Sequence, residues 1–176
     1  MRLLGLDPGL IRTGWGVVDA EGNRLRYVAC GLIAVPPKES LPARLAQLFQ
    51  ALNDMLDRFA PDEAAVEESF VNRNAASTLK LGLARGVVLL APAARGLPVF
   101  EYAANLVKKS VTGAGHAEKR QVGAMVGKLL PGSSAESADA ADALAVAICH
   151  AHHASSRRVL ANYPADGRAQ KASVAR

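Results

Sequence analysis

The chain has 176 residues, half of them apolar and about a fifth charged, enough for one domain with a substantial core. No window of about 18 uncharged apolar residues occurs, so no membrane span is expected, and the N-terminus lacks the basic and apolar regions of a secretory leader. The net charge of +5 is weak ground for a nucleic-acid partner, because most of it lies after His150, in Arg157, Arg158, Arg168, Lys171 and Arg176 against Asp166. Cys30 and Cys149 stand far apart and outside any CxxC or zinc pattern, which predicts buried thiols in a reducing, cytoplasmic setting.

The chain opens on a short apolar run, residues 2–7, that ends in Asp7 and a Pro8-Gly9 turn. Proline pushes its predecessor out of the helical region, so Asp7 is expected extended at the strand's last position. Gly9 is expected to supply a positive φ. Strands are predicted at 14–19 and 25–35, the latter interrupted at Cys30-Gly31, completing an antiparallel meander. Ser40 is placed to cap a helix over 41–59, whose Leu41, Leu45, Leu48, Leu52, Met55 and Phe59 recur every three or four residues. Residues 63–69 read as a fourth strand, 76–95 as a Leu/Ala/Gly-rich helix, and 99–102 as a fifth strand. Helices follow at about 103–110, 117–130 and 137–154. Residues 155–176 read as a basic, mobile tail beyond a single domain, 1–154. A meander followed by alternating helices and strands gives an α/β fold, a mixed five-stranded sheet with helices on both faces.

Four acids fall at element ends. Asp7 closes the first strand and Glu67 the fourth, and adjacent strands lie about 5 Å apart. Asp139 and Asp142, three residues apart, share one face near the start of the last helix. If that helix crosses the strand ends, all four converge. Carboxylates gathered so closely repel unless protonated or metal-bound. Hard oxygen donors without His or Cys suit Mg²⁺ or Mn²⁺, and two such ions about 4 Å apart perform in-line phosphodiester cleavage. Taken singly, Asp7 also reads as a turn cap, Asp139 as a helix cap, and Glu67 and Glu68 as acids flanking an edge strand. Two basic clusters accompany them: Lys108, Lys109, Lys119, Arg120 and Lys128, and Arg73, Lys80 and Arg85; each also reads as a solvated helix face. His150, His152 and His153 read as complements to a helix C-terminus, with a place in a metal shell as the alternative.

LGLDPG-x3-TGWGVVD, VEESFVNRNAASTLKLGLARG, VFEYAANLVKKSVTG, GHAEKRQV and DAADALAVAICH resemble, in this order over residues 2–153, the RuvC family of bacterial Holliday junction resolvases. The resemblance implies a ribonuclease H-like fold and a homodimer that nicks two strands of like polarity in a four-way junction, leaving 5′-phosphate and 3′-hydroxyl ends. This is the chemistry of homologous recombination and DNA repair. It places the family's acids on Asp7, Glu67, Asp139 and Asp142, choosing Glu67 over Glu68, and implies two Mg²⁺ ions, with Mn²⁺ also serving. Lys108 and Lys119 would stabilise charge on the scissile phosphate. Phe70 would stack on an unpaired base, and Arg73, Asn74, Lys80, Arg85, Lys109 and Arg120 would face the DNA backbone. The RuvA–RuvB branch-migration complex is the partner the resemblance implies. Paired cuts in a two-fold junction call for a two-fold dimer, for which the small-residue helix over 76–95 offers a contact face. Competing readings are an actin-like phosphate loop at Asp7-Pro8-Gly9, a ribonuclease H acting on RNA–DNA hybrids, and a non-catalytic junction binder. The first needs a second domain that the chain is too short to hold.

Overall fold

The structure, a computed structural model, describes residues 1–68, 74–133 and 137–161, the stretch 155–161 by its backbone alone. In chain order the elements are β1 (Arg2–Asp7), β2 (Arg12–Glu21), β3 (Arg24–Ala34), α1 (Leu41–Phe59), β4 (Glu63–Glu68), α2 (Ala75–Ala94), β5 (Val99–Ala103), α3 (Ala104–Thr112), α4 (Lys119–Leu129) and α5 (Ala138–Ala161). The strands form one sheet in the order β3-β2-β1-β4-β5. β1 pairs antiparallel with β2, and β2 with β3, whereas β1–β4 and β4–β5 are parallel. The expected mixed sheet is therefore present, with helices on both faces.

Period-two alternation sorts the side chains into two cores. Leu3 and Ala65 belong to the core under α3, α4 and α5, with Val107, Val122, Leu144 and Ile148. Leu4, Leu6, Ala64 and Val66 face the other way, onto Leu48, Leu52 and Met55 of α1 and Ala84, Val88 and Ala91 of α2. Asp7 and Glu67 continue the first series, so both point under α5 rather than under α1. α2 has the length and apolarity of a membrane-crossing helix, although Lys80 and Arg85 interrupt it. One face of it packs on α1, and the opposite face leaves Leu79, Leu83 and Leu90 exposed.

Several local expectations change. Ser40 stands at the N-cap of α1 but its side chain makes no capping bond. β3 runs unbroken through Cys30-Gly31; its irregularity is the register shift opposite Val17/Val18, which leaves Val28 as the extra residue of a bulge. Gly9 is not among the glycines with positive φ. What calls for glycine there is space, because a Cβ would lie 2.1 Å from the Arg12 carbonyl oxygen across the tight turn. α5 extends to Ala161, past the end expected near residue 154, so the expected domain boundary falls inside a helix. The basic tail beyond 161, Phe70 and Arg73 lie outside the described residues.

Candidate active site

Asp7 is the last residue of β1, and the parallel register Leu6↔Val66 sets Glu67 of β4 beside it. The turn behind Asp7 is clamped by Thr13, fully buried, whose hydroxyl donates to the Gly9 carbonyl (2.7 Å) and accepts the Gly9 N–H (3.4 Å). Arg44, buried on α1, donates to the Leu10 carbonyl at 3.1 Å and ties the turn to the opposite layer.

α5 brings the remaining acids by lying directly on backbone. A Cβ at Gly5 would lie 2.1 Å from the Ala143 carbonyl oxygen, one at Gly14 the same distance from that of Asp139, and one at Gly16 2.7 Å from Leu144 Cδ2. These three glycines form a saddle without side chains on the α5 face of β1 and β2. Glycine is poor in strands and here marks a close approach. The Gly14-x-Gly16 pattern was the signal in the sequence for it.

The outcome is a cavity of about 160 Å³ lined by Asp7, Glu67, Lys108, Lys119 and Asp142, with Ala104, Val107, Val122 and Ala145 as apolar walls. Asp139 reaches it electrostatically. Burial, then the charges of Glu67, Asp142 and Asp139, push the Asp7 carboxyl up to about 7, partly opposed by Lys119. Burial and Asp142 likewise raise Glu67, against Lys119 and Lys108. Lys119 donates to Asp142 Oδ2 at 3.0 Å, and this bond holds the ammonium above its ordinary pKa. The site is thus a half-dry pocket in which acids destabilise each other's charge and two lysines relieve them only in part. A carboxylate cluster of this kind fits a hard divalent cation by donor type and charge. As placed, no three acid, histidine or cysteine side chains among the described residues have the spacing to enclose an ion.

The other expected residues are distributed differently. Glu68 does not line the cavity. Lys109 and Arg120 are exposed neighbours of the two lining lysines, and Lys80 is exposed on α2. Asn74 is the N-cap of α2, its side-chain oxygen accepting the Ser77 N–H at 3.2 Å. Arg85 is ion-paired with Glu101 of β5, so it stands as a tie between α2 and the sheet rather than as a free cation. His150 lies mid-helix, because α5 runs on past it, and it is fully buried. Its Nε2 bonds Glu63 Oε2 and its Nδ1 the Tyr102 hydroxyl, both at 2.8 Å, so it braces the core rather than complementing a helix end.

The family model for the crossover junction endodeoxyribonuclease RuvC matches residues 3–150. The chain belongs to the RuvC family. A RuvC from Paramagnetospirillum magneticum is 63% identical over 92% of this chain and 97% of its own length, and one from Xanthobacter autotrophicus is 64% identical over 87% and 90%. The Thermus thermophilus RuvC in complex with Holliday junction substrate superposes with a TM-score of 0.82 at 34% identity, covering 89% of this chain and 96% of that one. The motif resemblance is thereby borne out as membership, and the ribonuclease H-like fold with it. RuvC-family identity also supports the nuclease, DNA-binding and recombination and repair assignments.

Proposed function

We propose that this protein resolves four-way DNA junctions by paired, symmetric nicks in strands of like polarity, leaving 5′-phosphate and 3′-hydroxyl ends. The observation that carries the reading is the single cavity where Asp7, Glu67 and Asp142 meet Lys108 and Lys119 beside Asp139, in a chain of this family.

Asp7, Glu67, Asp139 and Asp142 would hold divalent cations, two Mg²⁺ per site with Mn²⁺ as a substitute. Such ions supply an activated water and a counter-charge for the leaving oxygen. Asp7, on which the charges of Glu67, Asp142 and Asp139 all act, would be central among these ligands. Lys119 and Lys108 line the opposite wall, where their ammonium groups would neutralise charge developing on the phosphoryl oxygens. Val107, Val122 and Ala145 are the apolar part of the lining, beside the partly buried Asp7 and Glu67 carboxyls. Phe70 and Arg73, on the segment after Glu67, would contact the crossover, together with Lys80, Lys109 and Arg120.

Two cuts need two sites. Leu79, Leu83 and Leu90 are 67%, 40% and 58% exposed on one face of α2, with nothing packed within 4 Å of where a Cβ on Gly82 or Gly86 would sit. That face would receive a second copy, placing two cavities about a two-fold axis. A cytoplasmic setting and the RuvA–RuvB branch-migration complex as a partner belong to the same proposal, by resemblance to the family.

The deciding experiment compares a synthetic four-way junction with a linear duplex and an RNA–DNA hybrid under Mg²⁺, Mn²⁺ and EDTA, with Asp7→Asn alongside. Ligatable, symmetric, metal-dependent nicks in the junction alone, lost in Asp7→Asn while binding persists, are expected. Cleavage of the hybrid alone would replace the substrate assignment, and junction binding without cleavage under any metal would reduce the protein to a binder.

A further inference from the structure

Arg12, the first residue of β2, sits on the other flank of the acids from Lys108 and Lys119. The register Asp7↔Gly14 puts it two residues beyond the partner of Asp7, roughly 7 Å along the strand and about 5 Å across. Alternation places it on the same sheet face as Gly14 and Gly16, the face α5 covers. Its side chain is exposed, and no carboxylate among the described residues pairs with it.

Beside it lies an open trough of about 530 Å³, lined by Arg12, Tyr27, Cys30, Gly31, Leu32, Ser137 and Ala140. β3 supplies its floor and the first turn of α5 its inner wall. Asp142 and Ala145 face the acid cavity while Ser137 and Ala140 face the trough, so the start of α5 is a ridge with a site on either side. A cation at one end, an apolar floor and a place just across the α5 ridge from the acid cavity match one nucleotide of a DNA strand. The phosphate would rest on Arg12 and the sugar and base over Leu32, the β3 partner of Gly14 two residues along β2.

We propose that Arg12 and this trough hold a nucleotide flanking the scissile phosphate, on the side of the acids away from Lys108 and Lys119. The cleaved strand then crosses the sheet ends from the lysine wall, over Asp7, to β3. The inference rests on the nuclease reading, and its test separates the two.

Junctions carrying one uncharged methylphosphonate, walked over the three phosphates on each side of the cut, are assayed for binding by fluorescence anisotropy and for cleavage. The full-length protein, Arg12→Gln and Arg12→Lys are compared. One flanking position is expected at which the neutral linkage weakens the wild type about tenfold. Arg12→Gln should lose a similar factor on natural DNA and nothing further at that position, with a salt slope shallower by about one. Arg12→Lys should keep the slope. Losses in Arg12→Gln that add to every methylphosphonate alike, or no loss at all, would overturn the assignment. Coupling in binding by a protein that never cleaves would uphold the trough and refute the nuclease.

Discussion

Gly14→Ala tests how finely the active site depends on the seating of α5. The added Cβ would lie 2.1 Å from the Asp139 carbonyl oxygen, 2.6 Å from its carbon and 3.3 Å from the Ala140 nitrogen. Ordinary carbon–oxygen contacts are about 3.3 Å, so backbone must retreat by about 1 Å, and no side chain is available to swing aside. The displaced turn carries Asp139 itself and, three residues on, Asp142. A 1 Å displacement of catalytic groups costs about 10²-fold in rate. Overpacking costs about 1–3 kcal/mol, within the margin of a folded domain. The expected result is therefore a folded protein with a lowered Tm, near-normal junction affinity, cleavage down about 10²-fold, and a raised metal concentration for half-maximal rate. Gly123→Ala on α4, where a Cβ would meet nothing within 4 Å, serves as the control and should cleave like wild type. Single-turnover cleavage with a metal titration reads all of this. If Gly14→Ala cleaves within a few-fold of wild type at an unchanged metal midpoint, the saddle does not set the position of the acids.

Asp7 should make metal-free stability depend on pH. Its folded pKa is raised from 3.8 to about 7, so its favourable contribution is complete below pH 3.8 and is lost as pH rises through about 7. In EDTA, Asp7→Asn should gain on wild type from pH 4 to 7, up to ~4 kcal/mol, and plateau above; a Tm difference flat with pH refutes this. With Mg²⁺ below saturation, cleavage should rise with pH across the same interval, and added Mg²⁺ should shift the midpoint to lower pH, because metal and proton compete for one carboxylate. Lys119→Met should slow cleavage about 10²–10³-fold with a small change in junction affinity; equal losses in rate and affinity would make it a binding residue only. Leu83→Glu should leave a monomer by light scattering, whereas a persistent dimer would move the interface off α2. Asn74→Ala should lower stability by about 1 kcal/mol through loss of the α2 cap, read by chemical denaturation.

The order and type of the elements were legible in the sequence because each carries its own local cause. β1 ends at Asp7 because Pro8 follows it, and α1 keeps a leucine stripe from Leu41 to Phe59. The four acids could be singled out for the same reason, since all stand at element ends. Tertiary structure decided which groups share a cavity and which are already engaged. Arg85 reads as a free cation until Glu101 is seen to occupy it. His150 reads as a complement to a helix C-terminus until α5 is laid against Tyr102 and Glu63. Periodicity reports the face a residue takes within its own element, whereas occupancy depends on partners 16 to 87 positions away. The seating of α5 is the clearest case. Gly5, Gly14 and Gly16 determine by their missing side chains how close the helix comes, and only the packed sheet turns that closeness into a position for Asp139 and Asp142 over Asp7.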